Sequence, residues 1–128
     1  MNRKRFDRGW EKLRQIHGDE GERFIDNVKS ISPDLARFIV EFGFGDVYSR
    51  PGLDIRTRQI VTVAALTVLG NAQPQLKVHI QAALNAGCSS EEMIEVMIQL
   101  AVYAGFPAAL NGLGLVKQVL EERSKKDS

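Results

Sequence analysis

Several features are scarce or missing in this chain, and each absence excludes a class of protein. Among 128 residues there is one cysteine, Cys88, so neither an intrachain disulfide nor a cysteine-rich zinc site is expected. A lone thiol fits a reducing compartment, and we expect the cytoplasm. Residues 1–15 contain no long apolar segment, so no signal peptide is expected. The longest apolar run, Ile60 to Gly70, is about half the length that spans a bilayer, which predicts no membrane partner.

An excess of charge of either sign is also missing. Lys and Arg number 17 against 16 Asp and Glu, which gives a formal net charge of +1. This balance predicts no nucleic-acid partner and no acidic membrane surface. The chain also lacks a glycine-rich phosphate loop and a cluster of metal ligands, so no metal site is predicted. The remaining composition, 44% hydrophobic and 26% charged, predicts one soluble globular domain over residues 1–128.

Apolar residues at helical spacing predict three helices in the first half of the chain. The first runs from about Asn2 and ends before Gly18, a residue suited to a left-handed helix end. A short helix near residues 22–30 follows. Ser32 then provides an N-cap, with proline directly after it, for a helix whose apolar spacing continues to Tyr48. No segment shows the alternation typical of a β-strand.

The second half of the chain predicts further helices, and helix signals recur about six times in the whole chain. The run Ile60 to Gly70 is apolar on nearly all sides, so we expect it at the centre of the bundle or against a subunit neighbour. The next helix extends from Pro74 to a glycine at its end. A last helix begins after Gly105 and extends toward Glu122, with residues 123–128 as a frayed tail. The prediction is an all-α, single-domain bundle with short connections.

Cys88 lies at the entry of the predicted helix that begins at Ser89 and runs to about Tyr103. Ser89 and Glu92 form an S-x-x-E capping box, and Cys88 and Met93 are spaced as a hydrophobic staple around it. The thiol is therefore predicted to have a packing role.

Three phrases coincide in order and spacing: FGDVYSRPGLD, TRQIVTVAAL and LKVHIQAALNAGCSSEEMIEVMIQLAVYAGFPAALN. Over about residues 33–120 they resemble the carboxymuconolactone decarboxylase family, and residues 1–30 form a helical N-terminal extension outside the resemblance. The resemblance implies an alkyl hydroperoxidase D-like helical fold that assembles into a ring-shaped homo-oligomer, commonly a hexamer. It also implies a carboxy-lyase that removes CO2 from gamma-carboxymuconolactone, or from a related small lactone or carboxylate, in aromatic-compound degradation.

A second branch of this family implies an alternative activity. Its alkyl hydroperoxidase D-like members use a C-x-x-C-x-x-x-H helix as a disulfide relay, which would give peroxiredoxin activity. Counting back from His79, the two cysteine positions fall at Ala72 and Gln75, and neither is cysteine. Thiol relays need a peroxidatic thiolate and usually a resolving partner, so the decarboxylase branch is favoured. A ring-forming member that binds another small molecule is the third hypothesis.

Decarboxylation needs an electron sink and then a proton donor. Gamma-carboxymuconolactone supplies its own sink because the electrons flow into the conjugated lactone, so no pyridoxal, thiamine or flavin cofactor is required. The protein must bind an anionic substrate, stabilise the developing charge and deliver a proton. His79 suits the last task because imidazole titrates near neutrality, and it matches the family's histidine-bearing motif. Its alternative role is that of a packed core or interface histidine on an alanine-lined helix.

Three arginines are candidates for binding substrate carboxylates: Arg50, Arg56 and Arg58. A guanidinium group binds a carboxylate through two parallel hydrogen bonds. Tyr48 lies close to Arg50 in the phrase DVYSRPG, where a turn would present both side chains together. The alternative for each arginine is a surface charge or an intersubunit salt bridge.

Two further polar residues are candidates for contact with the substrate. Gln59 stands in the phrase TRQI, where many family members carry glutamate. Because glutamine cannot exchange a proton, a mechanism with a carboxylate base at this position is in doubt, and Gln59 is assigned to substrate binding. Tyr103, at the end of its helix, would place a phenol in the pocket or else belong to the core.

Overall fold

The computed structural model describes residues 3–127 and contains, over that range, six α-helices, one π-helix and no β-strand. In chain order the elements are α1 (Arg3–Ile31), α2 (Pro33–Phe38), the π-helix (Ile39–Tyr48), α3 (Ile55–Leu69), α4 (Gln73–Asn85), α5 (Ser90–Ala104) and α6 (Phe106–Lys126). The all-α prediction is confirmed. The chain divides into two compact units, the first ending at Ile55 and the second beginning at Arg56. No helix within the described range is long and apolar enough to cross a membrane.

Helix α1 consists of two helical segments joined at Gly18. The backbone at this glycine has φ 62° and ψ −143°, a conformation that the absence of a Cβ atom permits. The sequence predicted a helix end at this position, and the helix resumes beyond it. Leu13, Ile16 and Ile25 of α1 are buried in the first unit. Asn2, the predicted start of the helix, lies outside the described residues.

The segment predicted as one α-helix from Ser32 to Tyr48 forms two elements. The hydroxyl of Ser32 accepts a hydrogen bond from the backbone N–H of Leu35 at 3.1 Å, which confirms the N-cap. However, α2 ends at Phe38 and the chain continues as a π-helix. In a π-helix each backbone N–H bonds to the carbonyl five residues before it, so the turn is wider than in an α-helix. The prediction of one continuous α-helix is therefore wrong.

Two glycines bring the backbones of α1 and the π-helix close together. A Cβ atom added to Gly9 would overlap the carbonyl oxygen of Val40, and one added to Gly45 would lie 2.7 Å from the carbonyl oxygen of Arg5. Only a residue without a side chain fits at either position. This contact joins residues far apart in the sequence, so local apolar spacing does not reveal it.

The second unit has its own apolar core, to which α3, α4, α5 and α6 all contribute. The buried residues of this cluster are Val63, Leu76, Ile80, Ala83, Cys88, Met93, Met97, Val116 and Val119. Helix α6 packs against both α4 and α5. These contacts fix the position of α4, the helix that carries His79.

The predicted helix boundaries of the second unit rest on local caps. The backbone N–H of Ser89 donates to Oε1 of Glu92 at 2.9 Å, and the backbone N–H of Glu92 donates to the Ser89 hydroxyl at 3.0 Å, which confirms the capping box. Cys88 is 5% exposed and belongs to the same apolar cluster as Met93, as its predicted packing role requires. Gly105, with φ 92°, separates α5 from α6.

Helices α3 and α6 differ from the prediction in exposure and in length. On α3, Val63 is fully buried, but Val61, Val68 and Leu69 are 54%, 51% and 63% exposed. One side of the apolar run therefore lies in the core of its unit and the other side is exposed, and contact with a subunit neighbour stays a prediction. Helix α6 continues past Glu122 and includes residues 123–126 of the predicted frayed tail. Ser128 lies outside the described residues.

Candidate functional site

The predicted proton donor His79 on α4 lies beside Gln59 on α3. Nδ1 of His79 and Oε1 of Gln59 are 2.9 Å apart, a normal hydrogen-bond distance. An amide oxygen only accepts hydrogen bonds, so in this arrangement Nδ1 carries the hydrogen. The lone pair of the neutral ring is then on Nε2, and Nε2 is the atom at which the ring exchanges a proton.

The two side chains are held by the packing of their helices. Gln59 is 0% exposed, whereas His79 is half-buried. Ile80, next to His79, is fully buried in the apolar cluster, and Ala82 and Ala83, about one turn further along α4, are buried as well. The imidazole therefore lies at the edge of the core, where it keeps some contact with solvent.

The amide of Gln59 has an unused end. Its Nε2 atom is shielded from solvent and has no hydrogen-bond partner within residues 3–127. A primary amide nitrogen carries two N–H donors, and leaving a buried donor unsatisfied costs about 1–3 kcal/mol. Buried polar groups in folded proteins nearly always have hydrogen-bond partners, so an unsatisfied buried donor such as this one is unusual.

Arg56, the first arginine of α3, already has an anionic partner inside the chain. Its guanidinium group forms an ion pair and hydrogen bond with the carboxylate of Glu92. The hydrogen bonds from Arg56 and from the Ser89 backbone lower the pKa of Glu92, so this carboxyl group is ionised at neutral pH. The structure thus links Arg56 to the capped end of α5.

Arg58 and Tyr103 occupy different environments in the second unit. Arg58 directly precedes Gln59 on α3 and is partly buried, with its Nε atom shielded from solvent. Tyr103, near the end of α5, is 80% exposed and is not a core residue of this unit.

Tyr48 and Arg50 belong to the first unit, whereas His79 and Gln59 belong to the second. The ring of Tyr48 stacks on Phe44 with the ring centroids 5.5 Å apart. The backbone N–H of Arg50 donates to the carbonyl oxygen of Val47 at 3.1 Å, and the residue is exposed. The roles of both residues in binding stay predictions.

The first unit contains a charged cluster that the sequence did not reveal. Arg5 donates two hydrogen bonds to Asp46, at 2.6 and 3.1 Å, and lies 3.4 Å from Glu41, which is 5% exposed. The hydrogen bond from Arg5 lowers the pKa of Asp46. These groups are paired with one another, so the cluster holds α1 against the π-helix. No local motif signals it, because the partners come from distant parts of the chain.

A cavity of about 430 Å³ also lies in the first unit. Its lining includes Trp10, Ile25, Lys29 and Arg37 and contains none of the predicted site residues. The pair formed by His79 and Gln59 lies in the second unit, outside this cavity.

Comparison with known proteins shows which family the chain resembles. The sequence profile of the carboxymuconolactone decarboxylase family matches residues 33–118. The 4-carboxymuconolactone decarboxylase of Acinetobacter baylyi is 32% identical over 119 residues, which cover 92% of this chain and 88% of that protein. The nitrosuccinic acid decarboxylase of Metarhizium robertsii is 27% identical over 127 residues, 98% of this chain and 88% of that protein. An uncharacterised 15.0 kDa protein of Paracoccus denitrificans is 32% identical over 100 residues, 77% of this chain and 75% of that protein.

Proposed function

Since the chain belongs to the carboxymuconolactone decarboxylase family, we propose that it is a cofactor-free decarboxylase of a small carboxylic acid. Two of its relatives bear the name decarboxylase. The observation that carries the proposal is the pair of His79 and Gln59, in which Nδ1 of the imidazole faces a buried amide with unused donor capacity. The proposed substrate is gamma-carboxymuconolactone or an acid of the same chemical kind.

The names of the two decarboxylases indicate what that kind is. Carboxymuconolactone carries its carboxyl group on a conjugated lactone, and nitrosuccinic acid carries one beside a nitro group. Loss of CO2 leaves an electron pair that delocalises onto oxygen, as an enolate in the first acid and as a nitronate in the second. Each acid therefore contains its own electron sink and needs none from a cofactor.

The proposed reaction has two steps. First, the bond between the carboxylate and its neighbouring carbon breaks, CO2 leaves, and the electron pair moves onto the conjugated oxygen. Protonated His79 then donates its Nε2 hydrogen to a carbon of the resulting enolate or nitronate, which leaves a neutral ring with hydrogen on Nδ1. Solvent returns a proton to Nε2, so one proton is consumed for each CO2 released. General acid catalysis of this kind typically contributes about 10²–10⁴-fold in rate.

A cationic side chain would hold the substrate carboxylates. Arg58 is our first candidate because it directly precedes Gln59 on α3 and is partly buried. Arg56 is less suited, since its guanidinium group is paired with Glu92. Arg50 is the second candidate, as an exposed guanidinium after the π-helix.

The buried position of Cys88 favours decarboxylation over the thiol-peroxidase alternative. Its thiol is 5% exposed and packs in the apolar cluster of the second unit. A peroxidatic cysteine needs an accessible thiolate, and burial among apolar groups disfavours the thiolate form.

We also propose that the protein works as a homo-oligomer, with a hexameric ring as the leading form. Large apolar side chains remain exposed where α5 ends and α6 begins: Val102 is 77%, Phe106 is 75% and Leu110 is 63% exposed. Clustered apolar exposure of this kind is typical of interaction surfaces. A second copy of the chain would cover it.

The proposed function is tested by incubating the purified protein with gamma-carboxymuconolactone and, separately, with nitrosuccinic acid. CO2 release is followed for both acids, and for the lactone the ultraviolet absorbance also reports the loss of its conjugated double bond. The expected result is catalysed CO2 release from at least one of the two acids. Reduction of a hydroperoxide with a thiol donor, and no CO2 from either acid, would establish the peroxidase alternative instead.

A further inference from the structure

Gln59 combines complete burial with only partial use of its hydrogen-bonding groups. Oε1 lies 2.9 Å from Nδ1 of His79, whereas Nε2 is shielded and has no partner within residues 3–127. An apolar side chain of similar shape would avoid the cost of about 1–3 kcal/mol for an unsatisfied donor. An acceptor that comes from outside the described chain would satisfy it.

The chemistry of the donor indicates which acceptor fits. An amide N–H bonds to an atom with a lone pair, and its hydrogen bond is strongest when that atom is a negatively charged oxygen. Oε1 and Nε2 of Gln59 share one carbon atom, so an oxygen bound at Nε2 lies beside the imidazole that Oε1 holds. A negative charge on that oxygen would lie on the Nδ1 side of the ring whose Nε2 delivers the proton.

We propose that Gln59 acts on both partners of the reaction at once. Its Oε1 fixes the Nδ1–H form of His79, and its Nε2 donates to the substrate oxygen that becomes negatively charged when CO2 leaves. This inference rests on the proposed decarboxylase function and specifies its substrate class. The substrate is an acid whose electron-accepting group ends in oxygen, such as a lactone, a ketone or a nitro group, close to the carbon that loses CO2.

The electron and proton balance follows directly. The electron pair of the breaking bond moves onto the oxygen that faces Nε2 of Gln59, and the hydrogen bond strengthens as the charge grows. The pair returns to carbon when Nε2 of His79 delivers its proton. Gln59 gains and loses no proton in either step, so a neutral amide suffices at this position.

Replacement by glutamate separates the two roles of the amide. Gln59→Glu keeps an acceptor oxygen for the Nδ1–H of His79 but replaces the N–H donor with a charged oxygen that repels the developing oxyanion. Loss of one oxyanion donor typically lowers kcat by about 10²–10³-fold, and we expect a loss of at least that size. Gln59→Met removes both groups and is the second variant, since a buried carboxylate risks misfolding. Circular dichroism verifies the fold of each variant.

The position of the ring hydrogen is a readout that a purely structural role would not change. Long-range ¹H–¹⁵N NMR spectra should show His79 as the Nδ1–H form in the wild-type protein at alkaline pH. In Gln59→Met the Nε2–H form should appear, because the acceptor for Nδ1–H is gone. Gln99→Glu, an exposed substitution on α5 with the same charge change, is the matched control and should leave both kcat and the NMR signals unchanged.

The possible outcomes separate this inference from the function on which it rests. If the wild-type protein releases CO2 from neither acid, both the function and the inference fail. If it releases CO2 and a folded Gln59→Glu variant keeps the wild-type kcat, the decarboxylase function stands and the oxyanion role is refuted; the Nε2 donor then bonds only to water. A large fall in kcat, with the NMR change in Gln59→Met, supports both roles of Gln59.

Discussion

At the residue scale, the partner of His79 is uncharged. The amide of Gln59 orients the ring through Nδ1 without adding the Coulombic attraction that a carboxylate would exert on an imidazolium. Gln59 therefore orients the imidazole ring without changing the charge of the site. Because Gln59 is an amide and not a carboxylate, it adds no negative charge that would repel an anionic substrate.

Cys88 provides a test of which branch of the family the chemistry follows. Its side chain is buried in the apolar cluster beside the capping box of α5. Cys88→Ala removes only the sulfur, so we expect a loss of about 1 kcal/mol in the free energy of unfolding, measured by urea denaturation. Decarboxylase activity should be retained. Complete loss of activity in a folded variant would point back to thiol chemistry.

The two arginines on α3 should behave differently towards the substrate. Arg58→Gln should raise KM by about tenfold or more, because a charge-assisted hydrogen bond typically contributes about 1.5–3 kcal/mol. Arg56→Gln is the matched control and should leave KM near the wild-type value, since Arg56 pairs with Glu92. The measurement is steady-state kinetics on the acid that the wild-type protein decarboxylates. If KM rises in Arg56→Gln but not in Arg58→Gln, the carboxylate contact belongs to Arg56 and the assignment to Arg58 is wrong.

At the scale of helices, the sequence predicts features that depend on neighbouring residues, such as helix caps. It does not predict contacts between residues on different helices. The capping box at Ser89 and the glycine at Gly105 act within a few residues of each helix end, so the sequence predicts both. His79 could be proposed from its motif, but its partner Gln59 lies on a different helix. The unused donor of that amide depends on burial, which no spacing rule describes.

The type of helix formed by the backbone also could not be predicted from the sequence, as the π-helix shows. Its apolar spacing is compatible with an α-helix, and the sequence gives no sign of the wider turn. The turn accompanies the close approach of Gly9 to the carbonyl of Val40, a contact between distant parts of the chain. The sequence therefore predicts a helical segment here correctly but not the type of helix.

The contact between α1 and the π-helix can be tested with a single methyl group. Gly9→Ala places a Cβ atom where it overlaps the carbonyl oxygen of Val40, and overpacking of this kind typically costs about 1–3 kcal/mol. Gly43→Ala is the matched control, because an added Cβ atom there meets nothing within 4 Å. Urea denaturation followed by circular dichroism should show a destabilised Gly9→Ala protein and a nearly unchanged Gly43→Ala protein. Equal stabilities would contradict the role assigned to this glycine.

At the scale of the whole molecule, exposed apolar side chains point to assembly. Val102, Phe106 and Leu110 are all more than half exposed in the isolated chain, and so is Val61 on α3. Transfer of such surfaces from water into an interface is favourable at roughly 25 cal/mol per Å². A second copy is the occupant that we propose for them.

Light scattering at micromolar concentration tests this assembly. The measured mass should be several times the 14.3 kDa of one chain, and a hexamer is the expected form. Phe106→Asp should lower the mass, because it would place a charge in the proposed interface. Ile31→Asp, at an exposed apolar residue of the first unit, is the control and should leave the mass unchanged. A wild-type protein that scatters as a monomer would refute the proposal.

The proposed delivery of the proton by His79 is tested by measuring kcat of His79→Gln on the acid that the wild-type protein decarboxylates. Circular dichroism and light scattering first establish that the variant folds and assembles as the wild type does. We expect a fall in kcat of about 10²–10⁴-fold with little change in KM, because the proton transfer occurs only in the transition state. A correctly assembled His79→Gln protein with the kcat of the wild type would contradict it and would leave the imidazole a structural residue.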